Sequence, residues 1–119
     1  MAAYRQAILL RPDFAQAHSN LGNGLRDQGD LEQAAAHYRT ALTFIPEWAE
    51  AHYNLAGVVA SQGRLEEAVA GYQQALALKP DNIDALRQRA AVKTRLGDAD
   101  GAKADNAAAD KLKAAGAGN

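Results

Sequence analysis

At 119 residues the chain is long enough for one compact body and too short for two independent globular domains. A formal net charge of −1 gives no bulk attraction for phosphate backbones, and no run of about 18 apolar residues occurs, so nucleic acid and membrane are both poor partners. Cysteine is absent, which excludes disulfides, thiolate metal sites and a cysteine nucleophile.

Hydrophobic residues make up 48% of the sequence, yet there are only one Trp, two Phe and four Tyr. Much of the apolar share is alanine, so the core must come from backbones that approach closely, as packed helices do. In chain order, Ala2 to Leu10 reads as a short helix ahead of Pro12. Phe14 to Gln28 follows, with Leu21 and Leu25 at helical spacing. Gly29 stands where this helix must stop and turn back, and Asp30 is an N-cap candidate whose spacing to Gln33 is that of a capping box. A second helix, Leu31 to Phe44, is closed by Pro46, a residue that ends one helix and suits the first turn of the next.

The pattern then recurs at an offset of 34. Ala17-His18-Ser19-Asn20-Leu21-Gly22 returns as Ala51-His52-Tyr53-Asn54-Leu55-Ala56 and more faintly as Ala85-Leu86-Arg87-Gln88-Arg89-Ala90. Gly29, Gly63 and Gly97 share that register, as do Pro12, Pro46 and Pro80. The remaining helices are therefore expected over Trp48 to Gln62, Leu65 to Leu78, Ile83 to Leu96 and Ala99 to Lys113, with Asp98 as a further N-cap. Small residues at Gly22, Ala34, Ala41, Ala56, Ala68 and Ala75 let paired helices lie close, while Tyr38, Tyr72, Leu42 and Leu76 fill the space between neighbouring pairs. In the third copy Arg89, Lys93 and Asn106 replace apolar or aromatic residues of the first two. We read the last helix as a cap with a polar outer face of Lys103, Asp105, Asn106, Asp110 and Lys111, followed by a disordered tail, 114–119.

The length of the period, its order of small and large residues and its closing proline resemble the tetratricopeptide repeat (TPR). That resemblance implies an all-α fold of tandem antiparallel helical hairpins, stacked as a short right-handed TPR solenoid. The expected division is a half repeat, 1–11, then TPR units 12–45, 46–79 and a degenerate 80–113. In the half repeat, Tyr4, Ala7, Leu10 and Pro12 are in register with Tyr38, Ala41, Phe44 and Pro46, so a second helix stands there without its first. An uncovered flank of this kind makes a homodimer through Ala2 to Leu10 one expectation.

The resemblance also implies that first helices line a concave face that binds peptide. Asn20, Asn54 and Gln88 recur there once per repeat, and amide side chains match the donor and acceptor of a peptide backbone. Such a row, together with the phrase Ala17 to Leu21, is similar to the repeat region of O-linked N-acetylglucosamine transferases. Ligand-facing positions of the family map onto Gln16, Ser19, Asn23, Arg26 and Asp27 in the first repeat, Glu50, Tyr53, Gly57, Ala60 and Ser61 in the second, and Asp84, Arg87, Ala91, Thr94 and Arg95 in the third. Arg26, Arg87 and Arg95 supply positive charge suited to carboxylates. Ser19 and Asp84 stand where the family's chaperone-binding members place lysines, so that specificity is not expected.

Other chemistries find little support. His18 and His52 would be separated by about one helix-packing distance, 8–10 Å, too far to share a metal ion. Gly22-Asn23-Gly24 lies inside a helix, where its amides are already used, and is no phosphate cradle. No Ser, His and Asp grouping is brought together by the repeat. The sequence therefore points to a cofactor-free, non-enzymatic, cytoplasmic scaffold that binds a protein or peptide partner. Its alternatives are self-association through the first helix and a substrate-recruiting segment of a larger glycosyltransferase-like enzyme.

Overall fold

A computed structural model describes residues 14–117 and shows six helices over that range: α1 (Ala15–Asp27), α2 (Leu31–Phe44), α3 (Ala49–Ser61), α4 (Leu65–Leu78), α5 (Ile83–Arg95) and α6 (Ala99–Ala117). They pack as the hairpins α1–α2, α3–α4 and α5–α6, with α2 against α3 and α4 against α5 joining the hairpins into a stack. The expected helix over Ala2 to Leu10, the half repeat 1–11 and the dimer surface assigned to them lie outside the described residues.

Each hairpin turns on one glycine. Gly29, Gly63 and Gly97 have φ of 85°, 83° and 85°, a left-handed conformation that costs glycine nothing. Around Gly29 the amide of Asp30 bonds the Leu25 carbonyl at 2.9 Å and the amide of Gly29 bonds that of Arg26 at 2.9 Å. Paired bonds of this kind close a helix and satisfy carbonyls that would otherwise be left over, and the same pair is formed at Gly63 and Gly97. Asp30 then caps α2 by accepting from the Gln33 amide, and Asp98 accepts from the Gly101 amide at 2.9 Å. Pro46 and Pro80 fall within the connections 45–48 and 79–82, ahead of the next helix. There they prevent α2 and α4 from running on.

The core is built largely of alanine. Ala15, Ala34, Ala41, Ala51, Ala56, Ala68, Ala75 and Ala85 are all fully buried, and the large side chains among them are Tyr38 and Tyr72. Tyr38 packs with Ala34, Ala35 and Val58, joining the first hairpin to the second, while Tyr72 packs with Ala85, Leu86 and Val92, joining the second to the third. Gly22 belongs to the close contact within a hairpin, since a Cβ there would lie 2.7 Å from a ring carbon of Tyr38.

Two expectations about the last helix are corrected. Chain 114–117 is not a disordered tail but continues α6 to Ala117, because Ala114 and Ala115 are strong helix formers that extend an existing helix at little cost. Asp105 is not part of the polar outer face: it is 5% exposed and held between Arg89 and Lys93 of α5. Lys103, Asn106, Asp110 and Lys111 are exposed, as the cap requires.

Candidate functional site

Because successive first helices lie side by side, α1, α3 and α5 form a common surface, and it holds a groove of about 350 Å³. Its lining brings together Arg26 from α1, Tyr53 and Asn54 from α3, and Gln88 and Arg95 from α5. The floor is low because α3 contributes the small residues Gly57, Ala60 and Ser61 at its centre, spaced so that they share one helix face. Tyr72 of α4 reaches into this floor from below, and Val92 adds an apolar wall. Neither was legible as a groove residue, since both occupy positions the repeat assigns to the core.

Other residues expected to face a ligand are placed differently. Ser19 is 1% exposed and lies in the core of the first hairpin. Asn20 is exposed, accepts from Gln16 Nε2 at 3.3 Å, and lies outside the groove lining. Asn23 is engaged inside the fold, accepting from the Tyr38 hydroxyl and, at 3.5 Å, from Asn54 Nδ2. Arg87 turns toward α6, where it pairs with Asp110 at 2.7 Å and reaches Asn106 Oδ1 at 3.4 Å.

The electrostatics of the groove are one-sided. Its lining holds Arg26 and Arg95 and no acidic residue. Arg95 is laid across the end of α3 by a 3.5 Å contact from Nη1 to the Ala60 carbonyl, and Arg26 makes a 3.4 Å contact with the exposed Asp27. The rings of Tyr53 and Tyr72 meet at a tilt of 60° with centroids 5.9 Å apart. Burial raises the phenol of Tyr53, with Asp84 adding to the effect and Arg26 opposing it. Both phenols are therefore hydrogen-bond donors at neutral pH.

Two further polar constellations escaped sequence analysis. Arg89 and Lys93, which replace leucine and valine of the second repeat, converge on Asp105. Burial alone would raise this carboxyl, but the hydrogen bonds and charges of Arg89 and Lys93 outweigh it and hold it below the ordinary carboxylate value. A signal was available: three coordinated departures at one inter-helix position, with opposite charges. The second constellation joins His18 and His37, whose Nδ1 atoms are 3.0 Å apart between α1 and α2. Burial first, and then the charge of His37, lowers the pKa of His18. No cluster of three or more His, Cys, Asp or Glu groups able to hold a metal ion occurs among the described residues. Nor is any described helix long and apolar enough to cross a membrane.

The fold has close counterparts among solved structures. The crystal structure of MamA matches with a TM-score of 0.89 at 22% identity, covering 94% of this chain and 66% of that one. A second MamA structure matches with a TM-score of 0.82 at 23% identity, covering 89% of this chain and 58% of that one. The second TPR of Spaghetti (RPAP3), bound to the HSP90 peptide SRMEEVD, matches with a TM-score of 0.82 at 26% identity, covering 85% of this chain and 94% of that one. This chain thus spans about two thirds or less of the MamA chains, whose likeness speaks for the fold alone. No curated protein sequence matches it. A TPR repeat model matches residues 22–62 and 58–97, most of the described chain. With a 34-residue period, three glycine-turned hairpins and that match, the chain belongs to the TPR repeat family.

Proposed function

We propose that this chain is a binding scaffold whose first-helix groove takes an extended segment of a partner protein. The observation that supports this is the convergence of Asn54 and Gln88, from neighbouring first helices, on one groove with a low floor. An extended peptide presents a donor and an acceptor at each residue, and two amide side chains on adjacent helices match successive peptide groups. The groove's aromatic edge at Tyr53 gives the partner's side chains an apolar surface. The complex formed by the RPAP3 repeat shows a peptide as a ligand of that related domain, and the same class of ligand suits this groove. Asp84 and the buried Ser19 stand where chaperone-binding relatives place lysines, so a different peptide is expected. Of the three recurring amides, Asn54 and Gln88 line this groove and Asn20 does not.

The test is to pan a displayed random peptide library on the chain and measure the selected peptide by fluorescence anisotropy. Asn54→Ala with Gln88→Ala should weaken binding about tenfold or more, since each lost hydrogen bond is worth about 0.5–1.5 kcal/mol. Thermal stability should fall by no more than about 1 kcal/mol, because Gln88 is exposed and the half-buried Asn54 gives up one long contact with Asn23. Equal affinity of the double variant would reject the groove as the binding site.

A further inference from the structure

The first and second repeats differ in the fate of one tyrosine hydroxyl. Tyr38 is fully buried, and its hydroxyl donates to Oδ1 of Asn23 on α1. One period later Tyr72 is 2% exposed, but Gly57 stands at the place of Asn23. A Cβ on Gly57 would lie 3.6 Å from the Tyr72 hydroxyl, so the space filled by the Asn23 side chain in one repeat is open in the next. No described residue accepts the Tyr72 proton. Burial, with a smaller effect of Tyr53, pushes this phenol up to about 12, so it stays a donor at any physiological pH.

The open space forms a notch in the groove floor. Arg26 of α1 and Arg95 of α5 flank the same groove; Arg26 pairs weakly with the exposed Asp27 at 3.4 Å through one N–H, and the groove lining itself holds no carboxylate. Arg95 uses one N–H on the Ala60 carbonyl, which leaves the rest of its planar fork available. The Tyr72 hydroxyl opens onto the groove with no acceptor among the described residues, and two guanidinium groups on the same groove favour an anion. A carboxylate meets both demands with its two oxygens.

We infer that the notch over Gly57 is a subsite for an acidic side chain of the bound peptide. The Tyr72 hydroxyl donates to one carboxylate oxygen, and Arg26 and Arg95 supply the opposing charge. This inference depends on the groove being the peptide site and names the residue type the peptide brings to it. The chain makes the notch by replacing the asparagine of its own first repeat with glycine.

The probes are Ac-Ala-Glu-Ala-NH2 and Ac-Ala-Gln-Ala-NH2, titrated into the intact chain while the backbone amides of Gly57, Ala60 and Ser61 are followed by proton–nitrogen NMR. The glutamate peptide should give saturable shifts and bind about tenfold tighter than the glutamine peptide, as a charge-assisted pair predicts. Gly57→Asn rebuilds the hydroxyl partner of the first repeat, so it should fold with an unchanged or higher melting temperature and lose the preference for glutamate. Tyr72→Phe should reduce that preference without abolishing it. Equal binding of the two peptides would overturn the subsite and leave the groove standing. Retention of the preference in Gly57→Asn would overturn the subsite as well. Tighter binding of Ac-Ala-Gln-Ala-OH than of the glutamate peptide would give the notch to a chain terminus and refute the side-chain assignment. Saturable shifts from neither peptide would overturn subsite and groove together.

Discussion

Arg89 grips Asp105 through two parallel hydrogen bonds of 2.8 and 2.7 Å, and Lys93 approaches the same carboxylate at 3.0 Å. The corresponding cations are leucine and valine in the second repeat, at Leu55 and Val59, and the carboxylate position is Gly71. Removing the carboxylate alone leaves two partly buried cations facing each other. Asp105→Asn should therefore destabilise by about 3–5 kcal/mol in urea unfolding. Replacing the triad together, by Arg89→Leu, Lys93→Val and Asp105→Ala, should be neutral or stabilising by about 1–4 kcal/mol. Because the folded carboxyl titrates below its ordinary value of 3.8, its contribution is present above that value and lost as the pH falls through the folded pKa. The parent should thus lose stability relative to the triple variant only in that acid range.

Two glycines of α1 should respond in opposite directions to alanine. A Cβ at Gly22 would stand 2.7 Å from a ring carbon of Tyr38, whose hydroxyl is tied to Asn23, so the ring has no free way to retreat. Gly22→Ala should destabilise by about 1–2 kcal/mol net of its gain in helix propensity. Gly24, two residues on, meets nothing within 4 Å. Gly24→Ala should stabilise by about 1 kcal/mol, the propensity difference alone. Thermal unfolding of both variants beside the parent checks this.

His18 should make the first hairpin acid-sensitive. Its folded pKa lies below the ordinary 6.5, through burial and then the charge of His37, so the unfolded chain takes up its proton first. The stability it contributes is complete above 6.5 and declines as the pH falls through that value toward the folded pKa. Protonating both rings would also set one N–H against another across 3.0 Å. His18→Phe should flatten the dependence of melting temperature on pH between about 8 and about 5. An unchanged slope in the variant would contradict this account.

The second helices start unequally. Asp30 caps α2 and Asp98 caps α6 with a side-chain oxygen, but Arg64 at the head of α4 makes no such bond. Arg64 has only a 3.9 Å contact with Glu67, both side chains being about half exposed. Arg64→Asp should therefore stabilise by about 0.5–1 kcal/mol and Asp30→Ala should destabilise by about 1 kcal/mol. Chemical unfolding of each single variant measures the difference.

The sequence by itself determined the helices and their turns. A left-handed turn admits glycine at Gly29, Gly63 and Gly97, and apolar spacing fixes which face of each helix is buried, so these features depend only on residues close in the chain. It also carried the groove residues Asn54, Gln88, Arg26 and Arg95, because the 34-residue period repeats one helix face. What the tertiary structure decided were the contacts between helices. Asp105 reads as solvent-facing beside Lys103 and Asn106, and only the register of α5 against α6 turns it onto Arg89. Ser19, one position from the exposed Asn20, falls just beyond the edge of the groove face and is buried. The unpaired hydroxyl of Tyr72 depends on a glycine fifteen residues earlier, opposite it across the hairpin, and a helical period says nothing of what a side chain meets on the neighbouring helix.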